Sequence, residues 1–257
     1  MKNLESISNQ LAVAAKEGKA ISPISSDFPD LTADDAYKIQ LMNINAKCDA
    51  GRTIVGKKIG LTSKAMQDML GVDQPDYGVL LDDMVIHGES IERDTLLQPK
   101  VEAEIAFVLK QDLIGPGIEV ADVLAATDYV SASFEIVDSR IKDWKINLID
   151  TISDNASSGV FVLSEKRVPI DAIDLKTVHM RLYKNGVQVN EGYGSAALGD
   201  PAYCVAWLAN KMGEYGVPLK KGEVVLSGAL SAAVSAEKGD VFKAEFSTLG
   251  TVETTFK

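Results

Sequence analysis

The chain has 257 residues, 46% hydrophobic and 25% charged, enough for a full buried core in one large domain or two small ones. Its formal net charge of −11 excludes a nucleic-acid-binding surface, which needs a basic footprint, but leaves room for a small anionic ligand wherever a local cation reverses the field. The two cysteines, Cys48 and Cys204, stand far apart, exclude a disulfide scaffold or a cysteine zinc site, and each read as a small core hydrophobe.

The apolar stretch at residues 11–15 is too short for a signal sequence and is followed by Lys16-Glu17-Gly18-Lys19. No run approaches ~18 apolar residues, so a cytoplasmic chain that does not span a membrane is expected. Ile7, Leu11, Ala14 and Ala15 share one face of a first helix that Gly18 ends. A loop with Pro23 and Pro29 follows over residues 21–31. Thr32 and Asp35 form a capping-box pattern, and Tyr37, Leu41, Ile44 and Cys48 mark one face of a second helix that stops at Gly51. After Gly51 the period changes. A short helix is predicted over 63–70, a turn over 74–78, a strand over 101–109, a helix over 121–126 and a strand over 131–137. Asn185-Gly186 between two strand runs predicts a hairpin. Asp200 and Pro201 start a helix that runs to Met212, and strands at 224–226, 241–246 and 252–256 close the chain. The fold class read from this is α+β: a helical lead-in over 1–52 and a β-rich body over 53–257, forming a single catalytic domain.

Glu102 and Glu104 carry the first chemical signal. Side chains two apart on a strand share a face, so both carboxylates project together, and like charges this close need a cation or a proton between them. Ala106 and Val108 continue that face as apolar residues, which argues against a solvated surface. Glu135, inside Phe134-Glu135-Ile136-Val137, is a third carboxylate in apolar company. Three carboxylates without a histidine suit a hard ion such as Mg²⁺ or Mn²⁺. His87 and His179 stand alone and read as surface or satisfied core residues. A Walker A loop and a serine-hydrolase elbow are absent; Gly192-Tyr193-Gly194 with Gly199 lacks a dinucleotide spacing, and Ser63-Lys64 reads as a helix cap.

Several stretches carry a resemblance: Gly56-Lys57-Lys58-Ile59-Gly60-Leu61-Thr62-Ser63-Lys64, Gly71-Val72-Asp73-Gln74-Pro75-Asp76-Tyr77-Gly78, Gln98-Pro99-Lys100-Val101-Glu102-Ala103-Glu104-Ile105-Ala106, Phe134-Glu135-Ile136-Val137-Asp138-Ser139-Arg140, Asp150-Thr151 with Asp154-Asn155-Ala156-Ser157, and Leu226-Ser227-Gly228-Ala229-Leu230. In this order, over nearly the whole chain, they resemble the fumarylacetoacetate hydrolase superfamily. Within it they resemble the 2-hydroxypenta-2,4-dienoate (2-keto-4-pentenoate) hydratases of aromatic meta-cleavage pathways and the related 4-oxalocrotonate (2-oxo-3-hexenedioate) decarboxylases. The segments 73–77 and 141–145 are similar to the hydratases, while Ser231-Ala232-Ala233-Val234 is similar to the decarboxylases.

The resemblance implies a mixed, twisted β-roll, a homo-oligomer and association with the paired decarboxylase or hydratase. It also implies Glu102, Glu104 and Glu135 as ligands of Mg²⁺ (or Mn²⁺), with a small 2-oxo or 2-hydroxy-dienoic acid as substrate. Three carboxylates leave a divalent site at about −1, so an anionic substrate needs a further cation; Lys58, between two glycines, is the candidate. Asp76 and Asp154 are the candidates for moving protons, with turn capping as the competing reading of both. The Leu61 backbone and Ser157 are expected to line the pocket. Water is expected to add at C4 of the substrate and a proton at C3. A third reading is a non-catalytic scaffold partner, which would have no reason to keep the full set of glutamates and Lys58.

Overall fold

The computed structural model of the chain describes residues 3–88 and 90–257, with the side chains of all but Met69 and Leu70; Met1, Lys2 and Glu89 lie outside the description. Three helices lead in: α1 (Leu4–Glu17), α2 (Ile24–Asp27) and α3 (Ala33–Asp49). Gly18 ends α1 in the left-handed conformation. The predicted loop over 21–31 contains the short α2, and Ala15, expected on the buried face of α1, is exposed. Thr32 and Asp35 close the expected capping box at the start of α3, a contact worth on the order of 1 kcal/mol.

The body then runs β1 (Ile54–Gly60), α4 (Lys64–Leu70), β2 (Asp76–Leu81), β3 (Ser90–Ile91), β4 (Lys100–Leu109), α5 (Val120–Ala126) and β5 (Thr127–Val137). It continues with α6 (Leu148–Ser153), β6 (Ser158–Leu163), β7 (Val168–Pro169), β8 (His179–Lys184), β9 (Val187–Tyr193) and α7 (Pro201–Glu214). The last elements are β10 (Val224–Ala229), β11 (Val234–Ser235), β12 (Val241–Phe246) and β13 (Gly250–Phe256). Residues 74–78, rich in Pro, Asp and Gly, read as a turn, yet Asp76-Tyr77-Gly78 open β2. Gly78 is there because the chain needs its bare backbone: a Cβ would lie 2.5 Å from the Asn155 carbonyl oxygen.

The larger sheet runs β2-β1-β10-β4-β5-β6, with β11 pairing β4 and β7 pairing β5; the smaller runs β3-β13-β12-β8-β9. Among the described strands, β1–β10 and β13–β3 pair in parallel and the rest pair antiparallel, so both sheets are mixed. The Asn185-Gly186 hairpin forms as expected, with both residues at positive φ (52° and 79°). A continuous, mostly aliphatic core joins the two sheets with α5 and α7 and takes in Ala36 and Tyr37 of α3; Ile44 of α3 packs with Leu80 and Leu81 of β2 in a second cluster, and α1, α2 and Ile39 of α3 form a third around Ile141. No helix among the described residues is long and apolar enough to cross a membrane.

Candidate metal centre

Pairing in the larger sheet assembles the site. On β4, Glu102 and Glu104 project from one face, and Glu102 stands directly across from Glu135 on β5. Carboxylates directly opposite on adjacent strands repel, and here a third joins them on the diagonal. One oxygen from each of the three lies within 4.8 Å of the others. Glu104 and Glu135 are each 1% exposed, and Glu102 is half-buried at the edge of the group. Neither oxygen of Glu135 has a hydrogen-bond partner.

Burial pushes all three carboxyl pKa values up. Glu135 reaches about 7 even though the Lys58 ammonium opposes the shift. Glu104 goes well above its ordinary value because Glu135 and Glu102 add to burial, and Glu102 rises against the pull of Lys58. A cluster that resists being fully charged, with three hard oxygen donors within 4.8 Å of one another, is what a divalent cation satisfies. One carboxylate is aimed by the backbone. Gly228 on β10 donates its N–H to Glu104 Oε2 at 2.8 Å, and only glycine suits it: φ is +100°, and a Cβ would meet the Thr62 side chain at 2.2 Å.

Lys58 reaches the cluster from β1. Its Nζ lies 3.3 Å from Glu135 Oε1 and donates to the Ala156 carbonyl at 3.0 Å. Burial works against the ammonium, but Glu135, Asp76, Glu102 and Glu104 together outweigh it and push its pKa up. The carbonyl it bonds belongs to an unusual turn, Asn155-Ala156-Ser157, in which three consecutive residues with side chains hold positive φ of 51–55°. Such conformations cost free energy and persist only where their surroundings impose them. Here the Asn155 side chain bonds both the N–H and the carbonyl of Val79 on β2.

Asp76, opening β2, stands across from Gly60 of β1 and is 3% exposed. Its Oδ2 accepts from the Thr151 hydroxyl at 2.6 Å, while Oδ1 is buried without a partner. A Cβ on Gly60 would lie 2.3 Å from that Oδ1 and 3.0 Å from Lys58 Nζ, so the glycine leaves room for both groups on one face of the sheet. Leu61, next in line, holds φ +55°, with its carbonyl taken by the Gln67 amide at 2.9 Å.

Asp154 is placed differently. Its carboxylate is engaged by the Arg140 guanidinium and backbone N–H and by the Ser139 hydroxyl, and the Ser157 hydroxyl points at it from 3.5 Å. Burial raises its pKa and Arg140 opposes the shift. Lys58, Asp76 and the three glutamates are therefore brought together, while Asp154 sits against Arg140 beside the turn that bonds Lys58, and Ser157, the last residue of that turn, points its hydroxyl at Asp154. Sequence reasoning did not single out Thr151, Gly228 or the Ala156 carbonyl as parts of this arrangement, although all three lie inside the stretches that carried the resemblance.

The fumarylacetoacetate hydrolase C-terminal family model matches residues 57–257. A 2-hydroxyhexa-2,4-dienoate hydratase of Comamonas testosteroni is 45% identical over 256 residues, 98% of this chain and 97% of that one. A 2-keto-4-pentenoate hydratase of Paraburkholderia xenovorans is 46% identical over 254 residues, 98% of this chain and 94% of that one. Among solved structures, a 4-oxalocrotonate decarboxylase of Pseudomonas putida G7, complexed with magnesium and adipate, superposes with a TM-score of 0.95 at 36% identity, covering 100% of this chain and 98% of that one.

Proposed function

This chain belongs to the fumarylacetoacetate hydrolase family, and from that premise we propose that it is a metal-dependent hydro-lyase that adds water to 2-hydroxypenta-2,4-dienoate, giving 4-hydroxy-2-oxopentanoate in aromatic meta-cleavage catabolism. Glu102, Glu104 and Glu135 would hold Mg²⁺ or Mn²⁺, which supplies Lewis-acid polarisation of the substrate's C2 oxygen. Lys58, kept charged by its carboxylate neighbours, binds and orients the anionic end of the substrate. The Leu61 backbone lines the same pocket, and Ser157 contributes through the turn it closes, since its hydroxyl points at Asp154. The dienol first ketonises to the conjugated 2-oxo-3-ene, its C2 hydroxyl losing a proton and C5 gaining one; Asp76 then takes a proton from the water that bonds to C4, and a proton is returned at C3. Asp154 supports this arrangement through Arg140, because its oxygens are already engaged there.

The observation that carries hydration over decarboxylation is the free, buried Oδ1 of Asp76 beside Lys58. A carboxylate there activates water and repels the second carboxylate that a decarboxylase substrate must bring. Decarboxylation is the second reading, favoured by the likeness to the decarboxylase structure. The test is to supply 2-hydroxypenta-2,4-dienoate and 2-oxo-3-hexenedioate separately with Mg²⁺ and identify the products. Loss of the dienoate chromophore with little CO₂ supports hydration; rapid CO₂ release with the dienoate untouched would establish decarboxylation instead. We take residues 1–257 as one catalytic domain of a cytoplasmic homo-oligomer that can associate with the paired decarboxylase.

A further inference from the structure

We propose that Thr151 is a positioning residue that fixes the plane of the Asp76 carboxylate, holding one oxygen and leaving the other free to face the substrate, and that Gln40 of the lead-in helix α3 locks the two chain segments carrying this pair. The inference rests on the reading of Asp76 as the proton-moving group. A free carboxylate turns about its last torsion in a broad well, so its plane is not fixed and both oxygens stay equivalent. The Thr151 hydroxyl breaks that equivalence. It donates to Oδ2 at 2.6 Å from a residue 1% exposed, and leaves Oδ1 buried, unpartnered and turned toward Gly60 and Lys58.

The next residue on each segment is tied as well. Gln40 Nε2 donates to the Tyr77 carbonyl and to the Ile152 carbonyl, both at 2.9 Å. β2 and α6 are thus joined twice, once by side chains at 76 and 151 and once by backbone at 77 and 152. α6 is itself anchored, since Asn147 caps its first turn and Asp150 accepts from the N–H and hydroxyl of Ser25 on α2. The lead-in therefore braces the acid–base group from behind. Rate in such a site depends on holding the reacting oxygen in one geometry, which is the service these contacts perform.

The test compares Thr151→Val, which keeps the shape and removes the hydroxyl, with Thr151→Ser, which keeps the hydroxyl, in the full chain loaded with Mg²⁺. Thr151→Val is expected to lower kcat by about 10- to 100-fold, with KM and calorimetric Mg²⁺ affinity within about twofold; Thr151→Ser should restore most of the rate. Should the valine variant fail to fold, Thr151→Ala replaces it in the same comparison. A merely structural role would lower thermal stability without lowering kcat in this way. Asp76→Asn separates the two ideas. If it is inactive while Thr151→Val turns over normally, the positioning role is wrong and the role of Asp76 stands. If Asp76→Asn keeps wild-type kcat, both are overturned.

Discussion

Lys57 and Lys58 are neighbours on β1, each 2% exposed, and they face opposite sides of the sheet. Lys57 meets one partner, Glu223, at 2.6 Å. That carboxylate is also satisfied by the Lys220 N–H, and burial pulls the Lys57 pKa down against the pull of Glu223. Lys58 meets an excess: four carboxylates hold its pKa up, and one of them, Glu135, has no hydrogen bond at either oxygen. The same residue type at the same depth thus makes a closed ion pair on one face and an under-neutralised cluster on the other. Closed pairs of this kind serve structure. An unbalanced one is a candidate functional site, and here it is the proposed seat of a cation and then of an anionic substrate.

The largest expected effect breaks the open side. Glu104→Gln should weaken Mg²⁺ binding by at least about 100-fold and remove most activity, with the circular dichroism spectrum unchanged. The apo variant should be no less stable than the parent, because the crowded carboxylates repel one another. Full wild-type activity after exhaustive chelation would defeat the metal reading altogether. The closed side should respond in stability instead. Lys57→Met leaves Glu223 buried and unpaired, which costs about 3–5 kcal/mol, and replacing both partners by apolar residues should recover most of it in urea denaturation. If Lys57→Met proved neutral, the contrast between the two faces would collapse.

The local parts of this arrangement were legible in the sequence. The period of two places Glu102 and Glu104 on one face, and the caps at Thr32 and Asp200 and the Asn185-Gly186 turn depend only on neighbouring residues. What could not be read is register. Glu135 stands opposite Glu102 because β4 and β5 pair with that alignment, and no short-range pattern specifies it. The same holds for Thr151, whose hydroxyl meets Asp76 only after α6 docks on β2. Residues 74–78 misled because glycine there serves a close tertiary approach and not a turn.

Titration sharpens the comparison next. Glu135 holds its proton up to about pH 7 in the metal-free fold, whereas an unfolded chain releases it near pH ~4.3. The folded form therefore binds more protons across that window, and apo stability falls as pH rises through it. Mg²⁺ removes this penalty, so its stabilising effect should grow from pH 5.5 to pH 8. At a hundredfold excess over Kd the gain is about 2.7 kcal/mol, or roughly 5–10 °C in Tm for a chain of this size. A Tm shift independent of pH would mean that the three carboxylates do not titrate together with the metal.

The smallest effect concerns Lys58 and bears most directly on substrate. Three carboxylates and a divalent ion leave a formal charge of about −1, and Asp76 adds another negative charge on the same face. A bidentate anion such as oxalate can enter only if Lys58 offsets that field. Lys58→Ala should therefore weaken oxalate binding to the Mg²⁺ form by about tenfold, or 1.4 kcal/mol, measured by calorimetry. Binding of Mg²⁺ itself should change less, and in the opposite direction, because removing a nearby cation favours the metal. Lys57→Ala makes the control, since its charge faces the other side of the sheet and is spent on Glu223. Equal losses of oxalate affinity in the two variants would show that the ammonium acts through general field or fold stability. A loss confined to Lys58 would tie substrate binding to the open face of β1.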